Sequence, residues 1–469
     1  VPPSGKGRAV REVGTGVVGA YRYGEWVATD PLVPRTLLRL RRTDPAAARR
    51  AEIALDELLE PGGLADLTQH ALQGFLWYTL PEEDESQLTA GALASFFELA
   101  ELHRYAAVAQ SSQTKEILRT YEELGTASGA KAAAKAMDAS GLLPPDLPEL
   151  EWGELMGQAE ASAYDRIAAT LELALAAGEL KPGGRGWRLT QQRLTRQQLT
   201  MPRPDGPPLL DRVRAERLDT WTDIGGHERR GLASAVLPDL LTDPAPPRDA
   251  AERTAPMQWL LELAAGQNGD APGIPLTVGG NLARRVVQEA AERFNWWEIP
   301  ERAPRSESDI WHLAVLRLVL QRAGALRRSA RRLVLGTRGR ALLGDPLAQW
   351  HTAMVLLIDE TEFETAVQEA ALMLLLQAHG MVETRELIKE TAGVLGSSGW
   401  RDTGNGAPPD ERDVSRAVWG LLRRCELWSL VDEGHGPGYT TRVRLTDAGI
   451  RGAHTALRLL ALRPRMESE

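Results

Sequence analysis

The chain has 469 residues, 43% of them hydrophobic and 25% charged, with a formal net charge of −9. At roughly 100–200 residues per domain this predicts about three globular domains, and it excludes a globally disordered chain. The acidic balance argues against a protein that coats nucleic acid nonspecifically, but it leaves room for a local basic patch.

Cys425 is the single cysteine. One thiol forms neither an internal disulfide nor a cysteine-based zinc cage, and it suits a reducing compartment. No stretch approaches the roughly 18 apolar residues of a membrane span. The Gly-rich start, 1–20, lacks the continuous apolar run of a signal peptide. A cytoplasmic protein with no membrane partner is expected. The chain opens on Val1, as trimming or an alternative start would leave it. Six of the 55 basic residues are Lys and the rest Arg. With abundant Ala, Gly and Pro, this is the bias of a high-GC bacterial genome, so Arg clusters are discounted accordingly.

In chain order, residues 1–30 are expected to form a flexible N-terminus. Residues 31–142 read as a helical domain, with apolar residues at helical spacing over Ala51–Leu59, Leu67–Leu80, Thr89–Ala109 and Thr114–Leu124. Pro-Gly-Gly at 61–63 and Pro81 punctuate it. A Pro-rich break at Leu143–Pro148 follows. Residues 150–200 hold a helix, Gln158–Ala177, and one expected hairpin. Residues 209–265 read as a helical connector with Trp221 and Trp259 in its core. From Leu276 to about Leu462 helices alternate with short hairpin-like stretches.

One local pattern recurs three times: a helix ending in a small residue, a residue and Leu; a Gly- or Arg-rich turn; a short strand; then a new helix. The first copy is Gly178-Glu179-Leu180, the turn Lys181–Gly186, then Trp187-Arg188-Leu189-Thr190 as strand. The second is Gly324-Ala325-Leu326, the turn Arg327–Arg331, then Arg332–Leu335. The third is Cys425–Leu430, a loop through Gly434–Gly438, then Thr441–Leu445. Val443 and Leu445 alternate with Arg442 and Arg444, as a half-buried strand requires. Thr446 stands where a helix N-cap belongs.

Helix, hairpin and capped helix in this order resemble the end of a winged helix-turn-helix. The third copy, with helices predicted over Thr365–Ala378, Thr384–Val394, Asp410–Arg424 and Asp447–Leu460, is similar to that family across 360–462. Its linker Leu395–Pro409 is long for a helix-turn-helix turn and is expected to fold over the site. The second copy covers 276–355. Its phrase Leu276-Thr277-Val278-Gly279-Gly280-Asn281-Leu282, with the later Trp311-to-Trp350 segment, is similar to a plasmid open-reading-frame-three-like family of high-GC bacteria, largely uncharacterised. The first copy, in 150–200, is a partial unit. The implied fold class is mainly α: a helical N-terminal domain followed by two or three winged-helix-like units with short β-hairpin wings.

The resemblance directs attention to outward polar residues on recognition helix and wing, which meet base edges and phosphates. On the helix of the third unit these are Arg412, Ser415, Arg416 and Arg423. Asp410, Glu411 and Asp413 crowd the same helix start, where they suit the dipole but repel phosphate. Arg327, Arg328, Arg331 and Arg332 lie on the second unit's hairpin, inside a stretch, 301–345, with ten Arg against four acids. Its would-be recognition helix, Ser308–Arg322, is mostly apolar and reads as buried. Adjacent Trp296 and Trp297 read as partly buried, with exposure of one as the alternative.

No catalytic or metal constellation stands out. The acidic run Asp359–Glu364 reads as a solvated helix start. The eight His are scattered singly, and His312 and His351 read as structural. Gly5-Lys6-Gly7 and Gly14-Thr15-Gly16 lack phosphate-loop spacing. Cys425 ends a helix and reads as core. The expectation is a non-enzymatic protein without cofactor or metal that binds nucleic acid, DNA foremost, in a regulatory or defence/maintenance role. The alternatives are a protein–protein adaptor or homo-oligomer using these units as docking modules, and an enzyme with an unrecognised site.

Overall fold

The structure, a computed structural model, describes residues 9–11, 30–59, 63–266, 272–297, 299, 302–358, 361–402, 404, 406–435 and 440–466. The fold is mainly α, 65% helical, with small hairpins. The glycine motifs at 5–7 and 14–16, and Asp359 and Glu360, lie outside the described residues. Two compact units divide the chain: Val17–Glu216 with Pro464–Glu469, and Val1–Gly16 with Arg217–Arg463.

The unit built on Val17–Glu216 contains α1 (Leu32–Thr43), α2 (Pro45–Leu58), α3 (Gln69–Gly74), α4 (Ser86–Leu99), α5 (His103–Ala109), α6 (Ser112–Leu124), α7 (Thr126–Ser140), α8 (Gln158–Ala176), α9 (Trp187–Thr200) and the first part of α10 (Leu209–Asp223). One core gathers Trp77, Phe96 and Phe97 with Leu37, Leu40, Leu55, Leu72, Leu93 and Leu118. The buried Trp77 Nε1 donates to Thr114 Oγ1 at 3.0 Å, which removes the cost of burying an unpaired N–H. A smaller core lies between α8 and α10 around Ile167, Leu171 and Val213. Here α8 has no capping side chain of its own. Instead Glu216 accepts from the amides of Ala159 and Glu160 at 2.8 and 3.0 Å, setting a carboxylate on the positive end of the helix.

The hairpin expected at 181–190 is absent. Residues Trp187–Thr200 form α9 instead. The sequence there offers Gln, Arg and Leu, good helix formers without a β-branched run. The resulting helix buries Leu194 and Leu199 and aims Gln191 Nε2 at the carbonyls of Gly141 and Leu143. What the three copies share is the helix ending. The amides of Glu179, Ala325 and Leu430 each donate five residues back, and those of Gly178, Gly324 and Ser429 three residues back. The three latter residues have φ of 73°, 65° and 52°. That is the Schellman pattern, and it requires a left-handed residue at that place.

In the other unit, α11 (His227–Leu240), α12 (Ala250–Arg253) and α13 (Ala255–Ala265) follow the rest of α10. Two modules then share one connectivity. The first is α13, β2 (Ile274–Pro275), α14 (Arg284–Phe294), α15 (Trp311–Arg322), β3 (Leu326–Ser329) and β4 (Arg332–Leu335). It is followed by α16 (Thr337–Leu342) and α17 (Pro346–Val355). The second is α18 (Glu362–Gln377), β5 (Val382–Glu383), α19 (Thr384–Ser397), α20 (Glu411–Leu427), β7 (Val431–His435) and β8 (Thr441–Leu445), closed by α21 (Asp447–Ala461). Their sheets have the same antiparallel order, β2-β4-β3 and β5-β8-β7. The long linker between α19 and α20 carries β6 (Trp400–Asp402), which pairs with β1 (Ala9–Arg11).

One apolar core runs through both modules, from Leu218 to Ala461. A buried ionic group ties α10 and α11 to α18. Arg229 donates to both carboxylate oxygens of Glu369 at 3.2 and 2.8 Å, and Trp221 Nε1 donates to the same carboxylate at 2.5 Å. Thr446 accepts from Gly449 N at 3.0 Å and caps α21 as expected. Thr361 caps α18 the same way, so the described part of the acidic run is a helix start. Among the described residues no helix is long and apolar enough to cross a membrane.

Candidate nucleic-acid interface

The β3–β4 hairpin buries Leu326 and Leu333 and turns Arg327, Arg328 and Arg331 outward. Ser329 pairs with Arg332, so the turn is Ala330–Arg331 and the first two arginines belong to the strand before it. Ala330 has φ 50°, a position where glycine is the usual solution. Among the described residues no carboxylate forms an ion pair with Arg327, Arg328 or Arg331. Arg332 differs from the other three. Its Nε and Nη2 donate to Gly273 O at 3.1 and 2.5 Å, so it ties the hairpin to the segment before β2.

Beside the hairpin stands the turn Thr277–Asn281. Gly280 N donates to Thr277 O at 3.0 Å and Thr277 N to Asn281 O at 2.8 Å. Gly280 has φ 84°, and a Cβ there would sit 3.5 Å from Arg328 Nη1. Val278 projects from the turn, 87% exposed. The turn is clamped from within: Arg317 Nη1 donates to Gly280 O at 3.0 Å and to Glu307 Oε2 at 2.7 Å, and Glu307 Oε2 also accepts from Leu282 N at 3.0 Å. Sequence reading missed Glu307 and Arg317, because a salt bridge between residues ten apart on different elements leaves no periodic signal. Arg284, Arg338 and Arg340 are exposed in the same module.

On α20 the buried face is Val414, Ala417, Val418, Leu421, Leu422 and Cys425. The opposite face carries Arg412, Arg416, Trp419 and Arg423, with Ser415 half-buried beside them. Arg416 pairs with Asp413 at 2.9 Å, and Asp410 caps the helix. Trp419, 36% exposed, was not among the expected contacts, although its place three and four residues from Arg416 and Arg423 puts it on their stripe. The hairpin of this module is electrically balanced. Arg444 pairs with Asp432 at 2.8 Å. Burial, with Glu426 nearby, pushes the Glu433 carboxyl above its ordinary range.

The N-terminal end of α15 is covered, because α15 packs against α20. The His312 ring lies between Trp296, at 5.1 Å and 6° to its plane, and Trp311, at 3.7 Å. Its Nε2 stands 3.5 Å from Glu426 Oε1 on α20. Trp296 and Trp297 are both half-buried, as the plainer reading had it, and Trp297 Nε1 donates to Arg302 O at 2.5 Å. His351, expected to be structural, is exposed. Cys425 is fully buried, and burial pushes its thiol up to about 12.

Residues 253–348, the module of β2, β3 and β4, match the Y4jL N-terminal domain family, which is uncharacterised. Neither the curated proteins nor the solved structures provide a match.

Proposed function

We propose that the chain is a non-enzymatic, cytoplasmic winged-helix protein that binds DNA in a regulatory or defence/maintenance role. The β3–β4 hairpin is its principal contact, and the outward stripe of α20 (Arg412, Arg416, Arg423) is a second. The observation that carries this reading is that, among the described residues, no carboxylate pairs with Arg327, Arg328 or Arg331 of this hairpin, in a chain of net charge −9. Three guanidinium groups held together without carboxylates keep their charge available for phosphate. The repeated order of helix, strand, two helices and hairpin supports the winged-helix assignment.

The test is fluorescence anisotropy with a labelled mixed-sequence duplex at about 50 and about 200 mM salt. Binding by the wild-type chain that falls with salt and is lost in R327A/R328A/R331A is the expected result. A second reading, a protein–protein adaptor, is favoured by one observation: α15 packs against α20, so one would-be recognition helix already serves a protein contact. It predicts no duplex binding at either salt and a stable protein partner or oligomer.

A further inference from the structure

We infer that the module of residues 253–348 grips the phosphate backbone of B-form DNA through its wing alone, without reading bases, and that its α15 stays out of the groove. This rests on the DNA-binding reading above and specifies how that site works. A groove-reading helix meets base edges with its N-terminal residues. In this module that end is occupied: His312 lies between Trp296 and Trp311 and faces Glu426 of α20. Along the rest of α15 the side chains are buried or half-buried except Leu318 and Arg322. An apolar Leu and one Arg at the far end form no donor–acceptor pattern for base edges.

The wing has the opposite character. Arg327 and Arg328 are adjacent on β3 and Arg331 lies across the turn. Successive side chains of a strand point to opposite faces, so Arg327 and Arg328 carry charge to both faces of the hairpin. Arg328 stands beside Gly280 of the clamped Thr277–Asn281 turn. Thr277, Val278, Gly279 and Asn281 of that turn are exposed, an uncharged edge beside the arginines. The wing of the second module, where Asp432 pairs with Arg444 at 2.8 Å, lacks this free charge. A narrow hairpin suits the minor groove of B-form DNA, about 6 Å wide, better than the wide, shallow minor groove of A-form RNA.

The experiment measures anisotropy of the full chain with AT-rich, GC-rich and mixed DNA duplexes and an RNA duplex, from about 50 to about 200 mM salt. The variants are R327A/R328A/R331A and L318E, each with its melting curve checked. The three DNA duplexes are expected to bind within about threefold of one another. The triple variant should lower the slope of log K against log salt by about 2.7, which is about 40-fold less salt-induced loss across that range. L318E, which would set a carboxylate against phosphate if α15 entered the groove, should leave affinity within about twofold. A strong preference for one DNA sequence, a tenfold loss in L318E or tighter binding of the RNA overturns the inference while leaving a nucleic-acid-binding protein. Failure of every duplex, with no fragment enriched from a randomised pool, removes the DNA-binding reading as well.

Discussion

Arg317 and Glu307 meet at 2.7 Å with side chains 15% and 8% exposed, and between them they hold the backbone of the Thr277–Asn281 turn through Gly280 O and Leu282 N. The pair braces the backbone beside the wing. A charged pair taken out of water is no gain in itself, but removing one member leaves the other uncompensated.

Glu307→Ala is therefore expected to lower the stability of the Arg217–Arg463 unit by about 3–5 kcal/mol. Glu307→Gln, which keeps an acceptor for Leu282 N, should cost less. Urea titration of both variants followed by tryptophan fluorescence checks the order. Equal stability of E307A and wild type would mean the pair does not form.

Arg332 should separate from its three neighbours. Its two hydrogen bonds to Gly273 O give Arg332→Ala a stability loss of about 1–2 kcal/mol. Arg327→Ala or Arg331→Ala should fall within about 0.5 kcal/mol of wild type, as exposed positions do. Binding should respond in the reverse order, each of the outward arginines lowering the salt slope by about 0.9. Melting curves beside anisotropy on the single variants provide both readouts.

Cys425 should be chemically silent in the folded chain. Its thiol, fully buried and pushed up to about 12, holds almost no thiolate at pH 8, and the thiolate is the reactive form. Maleimide labelling at pH 8 should proceed in denaturant and stay below a few per cent without it. Rapid native labelling would show that the α20 core opens.

Acid should weaken both units through half-buried imidazoles. Burial holds His454 below its ordinary value, opposed by Asp239, and burial likewise lowers His70, opposed by Asp165. With the folded value below the unfolded 6.5, the unfolded chain takes up the proton first. The contribution is complete above pH 6.5 and is lost as pH falls below it, levelling off under the folded value. Melting temperatures of H454N and H70N between pH 7.5 and 5 should fall less than those of the wild type. A parallel fall would assign the acid sensitivity to carboxylates instead.

The sequence alone determined the mainly helical class, the capped start of α21, the alternation of β8 and the recurring helix endings after α15 and α20, because each depends on residues within one turn or one strand. The same locality misled it at Gly178: the helix ending is real, but the next residues were free to form α9, and burial of Leu194 and Leu199 decided it. Only the tertiary structure decided which polar groups stay free. Arg332 turned to Gly273 O and Arg444 to Asp432, while among the described residues Arg327, Arg328 and Arg331 have no ionic partner. Only packing placed His312 between two tryptophans against Glu426 and so covered α15. Partners distant in sequence, or set by which side of an element meets the core, leave no period to read, and the charge available to a ligand is what remains after those partners have been chosen.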